Sequence, residues 1–338
     1  MIKKCIAVLF LTFIAVLAFA QAPLNPRSYG VTGDGVTDDT AAWVAMIATI
    51  PNYSFILLPQ DFKSKTGTID LSGRRGFKFA GSNAGPGSAS AQPTLIYSGT
   101  AGGVLVKCSP CADVSFDGIG FDANNLADYG FQATAGGGLT TQNVSFYRVS
   151  IDRDMTGSTG RTNFIALDWC GTGSTSNCEM LSVVESNFRG SGITSNSIGI
   201  RIGHSNAVQN RIEGSFVEFF GQGIYITGQT RVDRIVFDHN NLDVFCQNAE
   251  PSEIAFSRTE NGNQFIGGNC PLFVHDNRIG TLGASPAAAW VINGSGSSAA
   301  TTTFVNNVFN GTSTHPPFGT SSAALVSIGN YYSPLVIS

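Results

Sequence analysis

The chain has 338 residues, of which 40 are glycine and only 12% are charged, and its formal net charge is −4. So few charges and so many glycines exclude a helical bundle, and the mild acidity argues against a nucleic-acid partner. Ser, Thr, Asn and Gly separate short β-branched and aromatic runs, which is the composition of an all-β protein.

The N-terminus reads as an export signal. Lys3 and Lys4 precede an apolar run from Ile6 to Phe19, and Ala18 and Ala20 are the small residues that fit cleavage after Ala20 or Ala22. The expected organisation is therefore a signal peptide over residues 1–22 and a single domain over residues 23–338, with residues 23–60 as its N-terminal cap region. Cys5 precedes the apolar run and is not placed for a lipid anchor. No later segment is apolar over the ~20 residues that a membrane span needs. Loss of the leader leaves 17 basic residues against 23 acidic ones. A secreted product is expected, extracellular or periplasmic.

The stretch from Tyr29 to Trp43, YGVTGDGVTDDTAAW, is the most distinctive in the chain. Gly30, Gly33 and Gly35 supply backbone conformations that residues with a Cβ resist. Asp38 or Asp39 can accept from the free amides of a helix that starts at Thr40, carries Ala42, Val44, Met46 and Ile47, and runs to about Ile50 before Pro51 ends it. Asp34, Asp38 and Asp39 are read as turn and cap residues rather than as metal ligands or catalysts. The motif resembles the N-terminal signature of the pectate lyase superfamily (rhamnogalacturonase and epimerase-like) domain. That resemblance implies a right-handed parallel β-helix, the pectin lyase-like solenoid, with a short N-terminal capping helix. It also implies action on polysaccharides, for members include lyases, hydrolases, uronan epimerases and phage tailspikes.

Two interleaved repeats carry the same architecture. Strands beginning at Gly103, Gly130, Asn163, Gly199, Gly223 and Glu253, with weaker ones near Trp290 and Leu325, read as the first strand of successive coils. Out of phase with them, paired short strands meet at corners occupied by Gly118, Arg148, Asn187, Ser215, Asn241, Asn277, Asn307 and Asn330. Asn tolerates left-handed backbone, and its amide can bond the Asn one coil above. About eight coils of three strands result, each rising by ~4.8 Å. The insertions before Asn163, Gly199, Cys270 and Trp290 are expected along one side.

Six cysteines follow Cys5, an even count that suggests disulfides in an exported chain. Cys170 and Cys178 bracket a short Gly/Ser/Thr loop. Cys246 and Cys270 are separated by one coil length, which allows a bridge between adjacent coils. Cys108 and Cys111 pair with each other or stay free. A metal cluster is disfavoured because the spacings do not repeat and only four His are present. No cofactor is indicated; Ca2+ is compatible with the composition, but nothing points to it.

Alternation turns Ile200 and Ile202 inward and Arg201 outward. The outward column of the first-strand sheet then runs through Lys107 or Leu105, Gln132, Ala166 with Asp168 or Trp169 at its end, Arg201, Tyr225 and Ala255. His204, Arg231 and Arg258 fall in the turns just after it. Arginines can neutralise uronate carboxylates and aromatic rings can stack on sugars, so an acidic polysaccharide is the expected ligand. For β-elimination Arg201 or Arg231 would neutralise the carboxylate, His204 would be the base and Tyr225 the acid, with Trp169, Asp168 and Arg258 holding substrate.

A hydrolase needs two facing carboxylates, and only Asp168 stands on this sheet, with Asp152 and Asp154 in the preceding loop. The clustered NTD, DD, GHG and RIK motifs of polygalacturonase-type hydrolases are not present as a set, Asp38–Asp39 lying in the cap motif and GHS at Gly203 departing from GHG. The YGFDPHE motif of the alginate epimerases is missing too, YGFQATA at Tyr129 diverging after three residues. A lyase-like enzyme on a uronate-containing glycan is favoured narrowly over a non-catalytic glycan-binding or surface β-helix, and a glycoside hydrolase comes after both.

Overall fold

The computed structural model describes residues 22–81, 92–135, 140–152, 163–171, 177–190, 196–203, 207–226, 229–238, 242–246, 252–255, 257–260, 264–268, 272–280, 290–293, 301–310, 324–329 and 331–333. Residues 1–21, which hold nearly all of the signal peptide expected over residues 1–22, lie outside them, as do His204, Asn241, Cys270, Asn330 and much of the expected insertions.

The strands form three sheets of nine, eleven and twelve members, and every pairing is parallel. The chain visits the sheets in turn. Val104–Cys108 lies in the nine-stranded sheet, Ala112–Asp117 in the eleven-stranded one and Gly120–Asp122 in the twelve-stranded one, after which Tyr129–Ala133 pairs back onto Val104–Cys108. This is a right-handed parallel β-helix, the hand that parallel crossovers adopt.

It has more coils than the eight expected. Strands such as Phe55–Leu58, Lys63–Thr66 and Thr94–Tyr97 extend the stack towards the N-terminus, and Leu242–Cys246 and Gln264–Gly268 add rungs further on. Two expected first strands belong elsewhere: Ser252–Ala255 and Ala324–Ile328 both pair into the eleven-stranded sheet. Short alternating strands look alike in sequence whichever sheet they join.

The cap forms as expected, with a helix over Thr40–Thr49, and Gly30, Gly33 and Gly35 are left-handed at φ 87°, 63° and 79°. Asp38 Oδ1 accepts from the Thr40 amide at 3.0 Å. Asp39 plays a different part. Only 2% exposed, it accepts from the Thr32 and Gly33 amides and from the Ser64 hydroxyl, tying the glycine turn to the first coil. The helix buries Trp43, Met46 and Ile47 and leaves Val44 exposed.

Inside, like side chains stack from coil to coil. Phe79, Phe116 and Phe146 form a continuous pile with ring centroids 5.2 Å apart, and Phe121 and Phe131 meet Phe116 edge-on. Such geometry adds about 0.5–1.5 kcal/mol per pair beyond area burial.

A polar ladder runs along the corner between the eleven- and twelve-stranded sheets. The Ser186, Ser215 and Ser257 hydroxyls accept amide hydrogens from Val149, Ser186 and Ile235. Asn277 and Asn307 continue it, their side-chain oxygens accepting from Ser257 and Asn277 and their amide groups donating to Ile254 and Val274. Asn187 is not in this ladder; it opens the strand Asn187–Arg189. Just before the ladder, left-handed backbone falls on Gly118, Arg148, Glu185, Gly214, Arg234, Asp276, Asn306 and Gly329.

Among the described residues two disulfides close short loops. Cys170 joins Cys178 with Cα atoms 6.3 Å apart, as expected, and Cys108 joins Cys111 at 5.3 Å. Cys246 stands in register with Gly268, while its expected partner Cys270 lies outside the described residues.

Candidate functional site

Parallel register aligns one outward residue per coil along the nine-stranded sheet. The column runs Asp70, Lys107, Gln132, Asp168, Arg201 and Tyr225, and the backbone register continues through Asp243 and Phe265. Lys107 thus takes the place left open with Leu105, which is fully buried; Asp168 takes the place left open with Trp169, and Ala166, expected in the column, is fully buried and outside it. Ala255 is not in this column; it aligns with Asp233 and His275 on the eleven-stranded sheet.

The centre of the column is an ion pair. Arg201 donates from Nε and Nη2 to the two Asp168 oxygens, each at 2.8 Å. The Gly171 amide donates to Asp168 Oδ1 at 3.0 Å and Gln132 Nε2 approaches Oδ2 at 3.4 Å. The Asp168 side chain is wholly out of contact with solvent and that of Arg201 is 15% exposed. Burial alone draws the Arg201 guanidinium down, but the Asp168 hydrogen bonds and charge, with a contribution from Tyr129, outweigh it and hold it above its ordinary value. Gly171 lies so close over the pair that a Cβ there would meet both Arg201 Nε and Asp168 Oδ1. Arg201 and Asp168 therefore satisfy each other. Tyr225, one coil on, is half-buried on the same face.

Other expected site residues stand apart. Trp169 shares its rung with Ala133, Ile202 and Ile226, faces the core and is fully buried, so it is interior packing rather than a platform for sugar. Arg231 is not in a turn beside the column. It belongs to Thr230–Asp233 of the eleven-stranded sheet, with its Nε 3.3 Å from Glu253 Oε2. Arg258 opens Arg258–Glu260 in the twelve-stranded sheet, in register with Val236 and Arg278. The turns leaving the nine-stranded sheet are short enough that the chain has already entered the next sheet at Arg231, and Arg258 follows a strand that was never in the first sheet. His204 lies outside the described residues, just after Gly203. Asp152 ends the strand Ser150–Asp152 of the twelve-stranded sheet, and Asp154 lies outside the described residues.

The structural comparisons agree with the topology. The chain superposes on PfbA, a surface adhesin of Streptococcus pneumoniae, with a TM-score of 0.53 and 12% identity over 92% of this chain and 90% of that one. It superposes on the Dettilon tailspike protein (gp208) with a TM-score of 0.51 and 13% identity over 93% and 69%. The fold is that of the right-handed parallel β-helix proteins. The A-module of the Azotobacter vinelandii mannuronan C-5 epimerase AlgE4 aligns at 13% identity over 91% and 97%, with a TM-score of 0.46. No protein-family model and no curated protein sequence matches the chain.

Sequence reasoning missed a second charged cluster on this β-helix. His275 Nε2 lies 2.8 Å from Glu253 Oε1 and its Nδ1 lies 2.7 Å from Asp276 Oδ2, with the ring tilted 4.5 Å from Phe273. Burial alone lowers the imidazole, but hydrogen bonds to Glu253 and then Asp276 outweigh it and raise it. The signal was in the VHDN run, since a His followed by Asp at a corner can reach one carboxylate locally and another across one coil. Among the described residues no group of three His, Cys, Asp or Glu side chains is placed to hold a metal ion. No helix of the described residues is long and apolar enough to cross a membrane.

Proposed function

We propose that this is an extracellular polysaccharide-binding β-helix whose nine-stranded sheet is the glycan platform. One observation carries the reading: Asp70, Lys107, Gln132, Asp168, Arg201 and Tyr225 stand in strict register. Of these, Asp70, Lys107, Gln132, Arg201 and Tyr225 reach the surface, with Asp168 buried against Arg201, on coils that rise by ~4.8 Å, a spacing comparable to one residue of an extended sugar chain. Lys107 and Gln132 offer donors at one end and Tyr225 a half-buried ring at the other, so an acidic glycan laid along the axis meets a cation, an amide and a stacking surface in turn.

The Asp168–Arg201 pair supports binding over β-elimination. An arginine already neutralised by a buried carboxylate is a poor neutraliser of a uronate, and a carboxylate with no solvent contact is out of reach of a substrate laid on the surface. The two disulfides support export, since such bonds persist in oxidising compartments.

The test is retention of the protein on immobilised pectate, alginate and rhamnogalacturonan, run beside absorbance at the wavelength of unsaturated uronate ends and reducing-end release. Retention by one glycan, weakened in Lys107→Ala and Tyr225→Ala without release of product, is expected. Unsaturated product that disappears in Tyr225→Phe would replace this reading with the lyase, and reducing ends without unsaturation would replace it with a hydrolase.

A further inference from the structure

A cleft of about 310 Å3 opens away from the glycan platform, where the chain turns from the nine- into the eleven-stranded sheet. Its lining includes Arg74, Arg75, Cys111, Ala112, Thr140 and Gln142. Its origin is a gap in a column. Arg75, Ala112 and Gln142 occupy the same rung position on three successive coils. The long side chains at either end are thus two coil rises, ~9.6 Å, apart, with only a methyl group between them. Ala112 is 3% exposed and forms the floor. The Cys108–Cys111 disulfide fixes the turn that walls one side.

The polar groups around this gap are unspent. The Arg75 side chain is exposed and makes no ion pair or hydrogen bond among the described residues; only its main chain is engaged, with Asn52 and Tyr53. Arg74 is anchored, its Nη2 donating to the Ile50 carbonyl and its guanidinium 4.8 Å over the Phe77 ring, yet its Nε is buried with no partner. The neighbouring carboxylates are occupied elsewhere: Asp113 accepts from Asn143, and Glu179, one rung beyond Gln142, accepts from Asn177. An exposed guanidinium with free donors, at the mouth of a gap the width of one sugar ring, fits a single acidic sugar.

We propose that this cleft is a second, separate binding site, which seats the carboxylate of one uronate-type sugar on Arg75, with Gln142 and Thr140 meeting its hydroxyls. A planar guanidinium matches a carboxylate through two parallel hydrogen bonds, and the ~9.6 Å gap admits a pyranose ring lying over Ala112. The site does not depend on the role given to the column of the nine-stranded sheet.

The experiment is calorimetric titration of the purified protein with sodium glucuronate, with glucose and sodium sulfate as comparison ligands. Saturable binding of glucuronate is expected, with glucose silent and sulfate weaker. Arg75→Gln removes a side chain that holds no other described part of the chain and should weaken glucuronate roughly tenfold or more, the scale of a charge-assisted hydrogen bond. Ala112→Leu, which fills the floor, should abolish binding with the circular dichroism spectrum unchanged, and Tyr225→Ala should leave it intact. The proposal is overturned by failure of glucuronate to bind, by equal affinity for glucose or sulfate, or by an Arg75→Gln protein that binds as the wild type does. Loss of glucuronate binding in Tyr225→Ala would place the sugar on the other sheet and overturn it as well.

Discussion

Replacing Arg201 by Leu tests whether the centre of the outward column is structure or machinery. The Asp168 carboxylate has no solvent contact and takes two hydrogen bonds of 2.8 Å from the guanidinium. Once these are gone, one backbone amide at 3.0 Å and a long contact from Gln132 at 3.4 Å remain. Breaking a buried pair by removing one partner costs about 3–5 kcal/mol because the other charge is left uncompensated. Replacing both by apolar groups of similar volume is often neutral or better, so Asp168→Leu with Arg201→Leu should recover most of that loss. The remainder, about 1–3 kcal/mol, is the Gly171 amide left without its acceptor. Equilibrium urea unfolding followed by tryptophan fluorescence suits the measurement, because Trp169 sits beside the pair in the core. A single variant losing less than about 1 kcal/mol, or a double variant no better than the single, refutes the reasoning. Either result would mean that water reaches Asp168, and the carboxylate would return as a candidate for chemistry.

Three further outcomes are expected. The raised His275 imidazole stabilises the fold in full below its unfolded value, near 6.5, and the contribution is lost as pH climbs through the higher folded value; melting curves of wild type and His275→Gln should therefore keep a constant gap at low pH and converge above it. Asn307→Ala strips a buried amide that accepts from Asn277 at 3.1 and 3.0 Å and donates to Val274 at 2.9 Å. It should cost about 3 kcal/mol or more in denaturant unfolding, while Asn306→Gly, at an exposed left-handed residue with φ 54°, should cost nothing. Removing the Cys170–Cys178 bridge, which spans 8 residues, should lower stability by about 2.5 kcal/mol by loop entropy, read as the difference between the Cys→Ser pair and wild type.

The solenoid was legible because its local chemistry repeats. Gly130, Gly199 and Gly223 each precede an inward–outward–inward strand, and stacking them in register gives the Lys107 to Tyr225 column directly. Alternation, however, reports which face a residue takes and not which sheet its strand joins. Ser252–Ala255 was therefore expected in the wrong sheet, and Arg258 was misplaced with it. Arg201 was rightly turned outward, but its engagement depends on how far covering chain excludes water from Asp168, which no pattern along a strand records. Trp169 was ambiguous for a simpler reason, being the last residue of its strand. At the corners, reading Asn as the left-handed residue missed by one position: Asn277 and Asn307 are in the buried ladder, while the left-handed places before them hold Asp276 and Asn306.

Those left-handed places divide labour in a way that bears on how such a surface can change. Arg148, Glu185, Arg234 and Asp276 adopt φ values of 53°, 49°, 53° and 54°, a conformation that ordinarily favours glycine or asparagine. Here the coil imposes it: the amides of Arg148, Glu185, Arg234 and Asp276 all donate to a carbonyl of the next coil, and the following residue is locked inside. The side chain at the corner is then nearly irrelevant to whether the turn forms. Opposite charges sit on consecutive steps, with Arg148 against Asp117 and Arg234 against Glu213. This edge can be rewritten in sign and pattern, one step at a time, while the interior that fixes the fold stays untouched.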